Sequence, residues 1–398
     1  MKLAQRVARI KPSATLTINA KAKALKQQGV HIINFGVGEP DFDTPSHIAE
    51  AAIRALNDGQ TRYTAVGGID ELKDAVCDMI RQDYGLSYGR ENVLVSCGGK
   101  HSLYNLFQAL LDEGDEVIIP SPYWVSYPDM VELTGASPVV VPCSEEHEFK
   151  MRPDELERAI TPRTRMLILN SPSNPTGVHY QREELSALAE VLLKYEDIVI
   201  VSDDIYYRIL FEGYEWLNIP MVEERLRERT FIVNGVSKTY CMTGWRIGYL
   251  VGDADVIRAA TKIQSQSTSN PTSIAQWGAV AALRDGQSEV QEMAKIFEAR
   301  CRYVVDRMND IPGVTCPEPA GAFYVFPNFS HYYGMKASER IIANSLDLAD
   351  FLMEKAHVAV VPGSAFGEDR CIRLSYAVST DDLKEGFNRI AEAVRGLA

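Results

Sequence analysis

Short apolar runs of strand length alternate with amphipathic helical patterns over residues 44–285, and this alternation constrains the fold more than any other feature. The runs fall at residues 93–96, 116–119, 166–169, 198–202, 231–234 and 247–251. Strands that are apolar on both faces and separated by helices are typical of parallel sheets covered by helices on both sides. The sequence therefore predicts an α/β fold around a mostly parallel sheet.

The pattern changes after about residue 290. A long helical pattern is followed by apolar runs at residues 323–326, 358–361 and 371–375 and by a final helical pattern from about Thr380. A helix near residues 20–28 and a strand at residues 32–35 precede the alternating region. We expect a large domain at residues 48–290 and a smaller α+β domain formed by residues 1–47 and 291–398.

Charge and composition exclude several classes of function. The chain of 398 residues has a formal net charge of -13, which repels nucleic acids and anionic membrane surfaces. Charges run through the N-terminal segment and no 18-residue stretch is continuously apolar, so neither export nor membrane insertion is expected. The seven cysteines form no Cys-x-x-Cys pair, and the seven histidines show no ligand spacing. The sequence predicts a cytoplasmic protein with reduced thiols and no metal site.

Lys238 lies in a turn directly after the apolar run at residues 231–233, and Arg246 follows eight residues later. An ordinary interpretation is a solvated loop lysine and a surface arginine. Buried strands on both sides, with the flexible Gly235 and Gly248 between them, favour a partly desolvated lysine instead. Desolvation lowers the pKa of an amine, so that its free form can condense with an aldehyde. We expect a reactive amine beside a phosphate-binding arginine.

Gly98, Gly99 and Lys100 follow a predicted strand and open a helical pattern. Backbone N–H groups at such a helix N-terminus can bind a phosphate, although a tight turn alone also explains the glycines. His101 breaks the spacing of a P-loop, and Asp41 stands where a dinucleotide fingerprint needs its third glycine. We therefore expect a phosphate site of neither nucleotide-binding type.

Polar residues follow or interrupt other predicted strands. Asp203 ends the run at residues 198–202, where a buried carboxylate needs a cation or a donor unless it caps the next segment. A protonated pyridine nitrogen would suit it. Asn174 lies in a Pro- and Gly-rich turn after the run at residues 166–169, at the sheet edge where ligands of α/β folds bind. Arg373 interrupts an apolar strand, and its planar guanidinium suits a carboxylate ligand or an internal salt bridge.

In this order the motifs resemble those of the class I aminotransferases, in particular the aspartate aminotransferase group of the fold-type I pyridoxal-phosphate enzymes. They are Ser121-Pro-Tyr-Trp124, Asn174-Pro-Thr-Gly177, Asp203-Asp-Ile-Tyr206, Ser237-Lys238 and Arg246, within a resemblance that extends from Gly38 to Arg373. The resemblance implies a fold-type I pyridoxal-phosphate-dependent transferase, with a mostly parallel seven-stranded sheet covered by helices and a smaller α+β domain. It also implies pyridoxal 5′-phosphate as cofactor, with amino acids and 2-oxo acids as substrates.

The same resemblance assigns roles to the residues. Lys238 is the implied catalytic residue, which holds the cofactor aldehyde and then moves the proton at the substrate α-carbon. Asp203 would pair with the pyridine nitrogen, Tyr206 and Asn174 would bond to the phenolic oxygen, and Trp124 would stack on the ring. The implied cofactor-binding residues also include Gly99, Lys100, Ser237 and Arg246. The implied substrate-binding residues are Gly38, Trp124, Asn174 and Arg373, the last holding the α-carboxylate.

The N-terminal segment from Lys11 to Thr15 is similar to the bacterial branch called subgroup I-beta, some of whose members also transaminate prephenate. The implied reaction moves an amino group between aspartate or glutamate and 2-oxoglutarate or oxaloacetate. In the family, a tyrosine in a loop like that around Tyr63 reaches the phosphate of the neighbouring subunit. Tyr63 therefore implies cofactor binding across a homodimer with shared active sites.

The sequence departs from the family pattern at two places. The better-known aspartate aminotransferases read the distal carboxylate with an arginine that residues 264–270 do not match. Lys100 resembles the lysine that has this role in the bacterial branch, and Lys11 and Thr15 are further candidates, mainly for prephenate. The serine expected three residues before the lysine is Gly235. The phosphate would then be held by Ser237, Arg246 and the amides of Gly99 and Lys100.

Three other functions remain open. An aminotransferase specific for alanine, an aromatic or another amino acid would share these motifs. A cofactor-sensing domain of a transcriptional regulator would need a basic helix-turn-helix extension, whereas only a short segment precedes the first predicted helix. A serine hydrolase would need a nucleophile elbow, and the segment from Gly235 to Thr239 around Ser237 lacks its second glycine.

Overall fold

A seven-stranded sheet forms the centre of the structure, a computed structural model that describes residues 1–285, 287–337 and 340–397. In spatial order its strands are Val93–Ser96, Gly248–Val251, Thr230–Gly235, Val199–Asp203, Thr164–Asn170, Glu116–Ser121 and Ser137–Pro142. Neighbouring strands are parallel except Gly248–Val251, which is antiparallel to the strand on either side. The predicted α/β fold with a mostly parallel seven-stranded sheet is confirmed.

The strand Ser137–Pro142 has no counterpart among the apolar runs. It lies at the edge of the sheet, and only Val141 among its six residues is buried. An edge strand that packs on one neighbour needs no continuous apolar sequence, and prolines are tolerated there because one side of its backbone is unpaired. Its sequence therefore carries a weaker signal than the central strands, which are buried on both faces.

Helices cover both faces of the sheet. In this region they are Ser46–Asn57, Asp70–Tyr84, Gly99–Leu110, Ser126–Glu132, Pro153–Ala159, Arg182–Leu192, Ile219–Val222, Ala254–Ser267 and Ser273–Arg284. Alternate residues of one strand face opposite layers. Val95 packs in a core that includes the helix Asp70–Tyr84, whereas Leu94 packs in a core that includes Gly99–Leu110. Both layers are apolar, which explains the uninterrupted apolar runs.

The remaining strands form three small sheets. In the first, Ile33–Asn34 pairs parallel with Val358–Ala359. In the second, Ile372–Ser375 lies between Val361–Pro362 and Tyr324–Val325 and is antiparallel to both. In the third, Lys336–Ala337 pairs antiparallel with Arg340–Ile341. The remaining helices are Gln5–Arg9, Ala14–Gln27, Gln287–Asn309, Ser345–Phe351 and Thr380–Arg395. The apolar run at residues 358–361 is thus divided between two sheets, which the sequence did not indicate.

The first long helix begins at Ala14, earlier than the predicted start near residue 20. Ser13 caps it, since its side-chain oxygen accepts a hydrogen bond from the backbone N–H of Leu16. Only Ile18 and Ala22 of this helix are buried, so its first turn carries no apolar periodicity. The cap places this turn, with Thr15, against the central cavity described below.

The division into domains at residues 47/48 and 290/291 remains a proposal, and core packing supports it. Phe35 stacks on Phe387 with ring centroids 5.1 Å apart, so the N-terminal strand joins the C-terminal part of the chain. The helix Gln287–Asn309 passes through the second boundary without a break. Along this helix, Val290 packs in a core of the large sheet, whereas Met293 packs in the core that contains Phe35.

Candidate active site

A cavity of about 330 Å³ opens at the carboxyl ends of the central parallel strands. Asn170 and Asp203 end two of these strands and line the cavity. The predicted site residues that also line it are Thr15, Gly38, Gly99, Lys100, Trp124, Asn174, Tyr206, Ser237, Lys238, Arg246 and Arg373. Ligands of open α/β sheets bind at this edge, because loops and helix N-termini meet there.

Lys238 projects into the cavity from the turn after the strand Thr230–Gly235. Its Nζ donates a hydrogen bond over 2.5 Å to the carbonyl oxygen of Gly38, which also lines the cavity. Burial lowers the pKa of Lys238 to about 8, with Glu39 acting in the opposite direction and Arg246 in the same one. A substantial fraction of the amine is therefore unprotonated at mildly alkaline pH, as a nucleophile requires.

Asp203 presents a buried carboxylate to the same cavity. Its Oδ2 accepts a hydrogen bond from the Tyr127 hydroxyl over 2.6 Å, and Oδ1 lies 3.4 Å from the backbone N–H of Ile205. Burial raises the pKa of Asp203 to about 6, although the Tyr127 hydroxyl opposes this shift. A carboxylate in such surroundings favours a cationic or protonated partner.

Arg373 is 2% exposed and carries its charge into the cavity wall. Its Nη1 donates to Oδ1 of Asn174 over 3.1 Å, and its Nη2 donates to the carbonyl oxygen of Gly36 over 2.7 Å. The Nε atom has no hydrogen-bond partner among the described residues. The sequence left an internal salt bridge open, but within the described part of the chain both partners of Arg373 are neutral. Its charge is therefore available for an anionic ligand.

The phosphate cradle predicted at Gly98 and Gly99 lies at the N-terminus of the helix Gly99–Leu110. Gly98 has φ +90°, and a Cβ atom there would lie 2.3 Å from Nη2 of Arg246. Gly248 allows a second close approach, since a Cβ atom on it would lie 2.2 Å from the backbone nitrogen of Gly99. The glycines thus bring the Arg246 guanidinium against the free amides of the first helical turn, a combination that binds anions.

Lys100 is the second residue of the helix that begins at this cradle. Its Nζ is 4.8 Å from the centroid of the Trp124 ring, a cation–π contact. Burial lowers the pKa of Lys100, and the nearby Arg246 adds to this effect. Ser13 and Thr15 reach the cavity from the N-terminal helix, so a lysine, two hydroxyls and an indole ring line this part of the wall.

Two predicted site residues lie outside the cavity of the single chain. Lys11 is exposed, and its backbone N–H lies 3.3 Å from Oδ1 of Asp129. The Tyr63 side chain is 91% exposed. Their predicted roles toward substrate and toward a neighbouring subunit stay predictions.

Sequence reasoning missed two tyrosine hydroxyls of the cavity. The Tyr127 hydroxyl contacts Asp203, and the Tyr324 hydroxyl lies 2.9 Å from that of Tyr206. Tyr127 lies in the first turn of the helix Ser126–Glu132, and its ring packs edge-on against that of Trp124, three residues earlier. Tyr324 lies in an apolar run, where a tyrosine is usually a core residue. The short spacing from Trp124 was the sequence signal that could have identified Tyr127. Only the fold shows the contact between Tyr324 and Tyr206.

Two further features concern the part of the chain that the structure describes. No group of three or more His, Cys, Asp or Glu side chains is placed there to hold a metal ion. No helix of that part is long and apolar enough to span a membrane.

Comparison with known proteins gives one consistent result. The family model "Aminotransferase class I and II" matches residues 30–390. The aspartate aminotransferase of Bacillus subtilis (strain 168) is 49% identical over 395 residues, and the aspartate/prephenate aminotransferase of Nitrosomonas europaea is 51% identical over 393 residues. The alignments cover 99% of both chains in the first case, and 98% of this chain and 99% of the relative in the second.

Solved structures agree with the sequence matches. The aspartate aminotransferase from Rhizobium meliloti superposes with a TM-score of 0.97 at 43% identity and with 100% of both chains covered. The aspartate aminotransferase from Thermus thermophilus with maleate gives a TM-score of 0.92 at 42% identity, covering 99% of this chain and 100% of the other. The similarity therefore includes both the central sheet and the smaller sheets.

Proposed function

The chain belongs to the class I and II aminotransferases, and we propose that it moves an amino group between aspartate or glutamate and oxaloacetate or 2-oxoglutarate, with prephenate as a further acceptor. Enzymes of this family use pyridoxal 5′-phosphate. The relatives described above support the choice of substrate. The observation that carries the proposal is the buried Arg373, which faces the same cavity as Lys238 and whose hydrogen-bond partners among the described residues are neutral.

The residues of the cavity fit this cofactor. Lys238 offers an amine with a lowered pKa for the aldehyde group. The amides of Gly99 and Lys100, the Ser237 hydroxyl and the Arg246 guanidinium offer donors for a phosphate at a helix N-terminus. Asp203 offers the buried carboxylate that a pyridine nitrogen requires. Each functional group of the cofactor thus has a chemically matched partner.

When bound, pyridoxal phosphate supplies a conjugated ring that stabilises negative charge at the α-carbon of an amino acid. Asp203 would keep a proton at the ring nitrogen, which would maintain this capacity. Trp124 would pack on the ring, while Tyr206 and Asn174 would hydrogen-bond to its phenolic oxygen. Lys238 would hold the aldehyde group, and its free amine would serve as general base and acid for the proton at the substrate α-carbon.

Arg373 binds the substrate α-carboxylate bidentately, because its guanidinium fork matches the geometry of a carboxylate. Lys100 is our choice for reading the distal carboxylate, since it lines the cavity, whereas Lys11 does not in the single chain. Thr15 lines the same wall and could donate to a longer substrate such as prephenate. An enzyme of this fold that prefers alanine or aromatic amino acids is the alternative, which a substrate comparison separates.

We also propose that the protein is a cytoplasmic homodimer in which each active site contains residues of both subunits. Tyr63 is 91% exposed, and Ile53 and Leu56 on the helix Ser46–Asn57 are also exposed, at 56% and 51%. Ile53 and Leu56 are three residues apart and therefore share one face of this helix, and exposed apolar side chains on one face favour a protein interface. The seven cysteines are all unbridged, which supports a reducing compartment.

Covalent attachment of the cofactor tests the proposal directly. The purified protein, supplied with pyridoxal phosphate, should absorb in the near-visible region, and borohydride should fix the cofactor on the peptide that contains Lys238. Lys238→Ala should abolish this adduct, whereas Lys384→Ala on the exposed face of the C-terminal helix should retain it. Absence of both absorbance and adduct in the wild-type protein would contradict the proposal.

A panel of amino donors tests the substrate. Turnover of aspartate, glutamate, alanine and phenylalanine with 2-oxoglutarate, and of prephenate with aspartate or glutamate, should favour the dicarboxylates and prephenate. A preference for alanine without use of dicarboxylates would select the alternative aminotransferase.

A further inference from the structure

Tyr127 and Asp203 form a buried pair at the cavity wall, although 76 residues separate them in sequence. The phenol oxygen of Tyr127 lies 2.6 Å from Oδ2 of Asp203, a short distance for a charge-assisted hydrogen bond. Tyr127 is 2% exposed and Asp203 is 5% exposed. Little water competes for this contact, so the hydrogen bond has a strong influence on the carboxylate.

The hydroxyl of Tyr127 is the principal donor to this carboxylate. The other oxygen of Asp203, Oδ1, lies 3.4 Å from the N–H of Ile205, at the limit of a hydrogen bond. The neighbouring carboxylate of Asp204 is held elsewhere, by the Ser202 hydroxyl at 2.6 Å and by the Asn218 amide at 3.1 Å. The two adjacent carboxylates thus accept hydrogen bonds from different donors, and Tyr127 donates to Asp203.

The Tyr127 ring has little freedom to turn away. It lies in the first turn of the helix Ser126–Glu132 and packs edge-on against Trp124, with ring centroids 5.3 Å apart. Burial raises the pKa of Tyr127 far above its usual range, so the phenol stays protonated and donates. Its hydroxyl is therefore fixed toward Oδ2, and Oδ1 is left as the more weakly bonded oxygen of Asp203.

We infer that Tyr127 is a positioning residue, which holds Asp203 ionised and leaves one carboxylate oxygen available to the ring nitrogen of the cofactor. This inference rests on the proposed function, because it needs a cofactor ring beside Asp203. The titratable groups that face Asp203 are Tyr127, Tyr206 and Asp204. Neither Tyr206 nor Asp204 supplies a positive charge, so the phenol hydrogen bond is the main side-chain interaction that favours the carboxylate form.

Removing the hydroxyl should change the charge distribution on the bound cofactor. Without its donor, Asp203 becomes a stronger base and draws the proton of the ring nitrogen toward itself. The ring then carries less positive charge, and the chromophore attached to Lys238 should hold its own proton to higher pH. The pH at which half of the chromophore has lost this proton, read from its absorbance, is the midpoint of the titration. A residue with a merely structural role would not change this midpoint.

The test compares the absorbance of wild type, Tyr127→Phe and Tyr332→Phe as a function of pH, each saturated with pyridoxal phosphate. Tyr332 is a matched control, since it is buried and its hydroxyl donates to the carbonyl oxygen of Pro312 over 2.7 Å, in the small domain. The midpoint should shift upward in Tyr127→Phe and stay unchanged in Tyr332→Phe. We also expect kcat to fall about 10-fold in Tyr127→Phe with KM changed less than about twofold, since one charge-assisted hydrogen bond is lost.

A double-mutant cycle shows whether Tyr127 acts through Asp203. In the background of Asp203→Asn, Tyr127→Phe should not shift the midpoint further, because the carboxylate is already absent. An unchanged midpoint in Tyr127→Phe, or an equal shift in both backgrounds, would overturn the inference. Tyr127→His retains a ring with a donor, and its midpoint should lie between those of wild type and Tyr127→Phe.

The experiment distinguishes a failure of the role assigned to Tyr127 from a failure of the proposed function. If the wild-type protein forms no chromophore at Lys238, the proposed function fails. If wild type forms it and titrates normally while Tyr127→Phe titrates identically, only the role of Tyr127 is refuted.

Discussion

The guanidinium of Arg373 lies 3.1 Å from the side-chain oxygen of Asn174, a residue 199 positions earlier in the chain. This contact joins the small antiparallel sheet to the turn above the central sheet. The Tyr324 and Phe366 rings face the same guanidinium, with centroids at 4.7 and 5.2 Å. Aromatic faces and neutral oxygens reduce the cost of burying this charge but leave a carboxylate ligand as its natural counter-ion.

Arg373→Lys should therefore impair substrate binding. A lysine keeps the charge but loses the bidentate fork, so KM for aspartate should rise about 10- to 100-fold, with a smaller fall in kcat. Steady-state kinetics measure both constants. Arg370→Lys is the matched control, because Arg370 lies three residues earlier and pairs with Glu368 at the surface. Equal KM values for wild type and Arg373→Lys would be inconsistent with the assigned role.

The amine of Lys238 should react with aldehydes over an unusually low pH range. Since burial lowers its pKa from 10.5 to about 8, the cofactor-free protein should capture pyridoxal phosphate at a rate that rises with pH to a midpoint near 8. Below this pH the amine is protonated and unreactive. Capture is followed by the growth of near-visible absorbance after mixing. A midpoint near 10.5 would show that Lys238 is solvated in the folded protein.

Glu39→Gln should shift this midpoint downward. Glu39 raises the pKa of Lys238 because its negative charge favours the ammonium form, so its removal frees the amine at lower pH. The side chain also accepts a hydrogen bond from Thr243 over 2.8 Å, which glutamine can retain through its own carbonyl oxygen. Glu50→Gln, on the exposed face of a helix, serves as the control. No shift, or an upward shift, would exclude this electrostatic coupling.

Lys100→Met should change the choice of substrate more than the rate of catalysis. We expect kcat/KM for aspartate to fall about 100-fold, because the distal carboxylate loses its cation, while kcat/KM for alanine changes less than about threefold. Lys384→Met tests for nonspecific effects of losing a surface charge. If aspartate and alanine are affected equally, Lys100 serves the cofactor rather than the distal carboxylate, and Lys11 becomes the stronger candidate.

The central sheet and the main catalytic groups could be predicted because each has a local signal. Strands such as Val199–Asp203 are buried on both faces and read as apolar runs, and Asp203 is visible as an acid at the end of one. Lys238 and Arg373 could be identified because a charge beside or within a buried strand is energetically costly unless a partner group or a ligand pairs with it. Asp203 and Lys238 meet because the carboxyl ends of the parallel strands lie together, whereas Arg373 reaches the same cavity from the small antiparallel sheet.

Other features depend on packing that no local pattern records. The hydroxyl contact between Tyr206 and Tyr324 joins residues 118 positions apart, and an isolated apolar run gives no indication of it. The edge strand Ser137–Pro142 has only three consecutive valines, which lie between two prolines. The helix that contributes Thr15 begins at a side-chain cap rather than at an apolar stripe. Motifs that require a charge were therefore predictable, whereas tertiary contacts of neutral hydroxyls were not.

Tyr63 provides a test of shared active sites. It is 91% exposed, and we expect its hydroxyl to contact the phosphate in the cavity of a partner subunit. Tyr63→Phe should then weaken cofactor binding about 10-fold without changing the sedimentation coefficient of the protein. Tyr214→Phe is the control, since Tyr214 is also exposed, at 39%, and its substitution should leave cofactor binding unchanged.

Mixed dimers make the same test sharper, because they separate the two contributions to each site. A dimer of one Lys238→Ala chain and one Tyr63→Phe chain, isolated through two different affinity tags, contains a site built from the intact Lys238 of one chain and the intact Tyr63 of the other. If Tyr63 acts across the interface, that site should bind the cofactor with wild-type affinity and give about half the wild-type activity at limiting cofactor. If each site were complete within one chain, the only active site would carry the Tyr63→Phe change, and the mixed dimer would bind the cofactor as weakly as Tyr63→Phe alone.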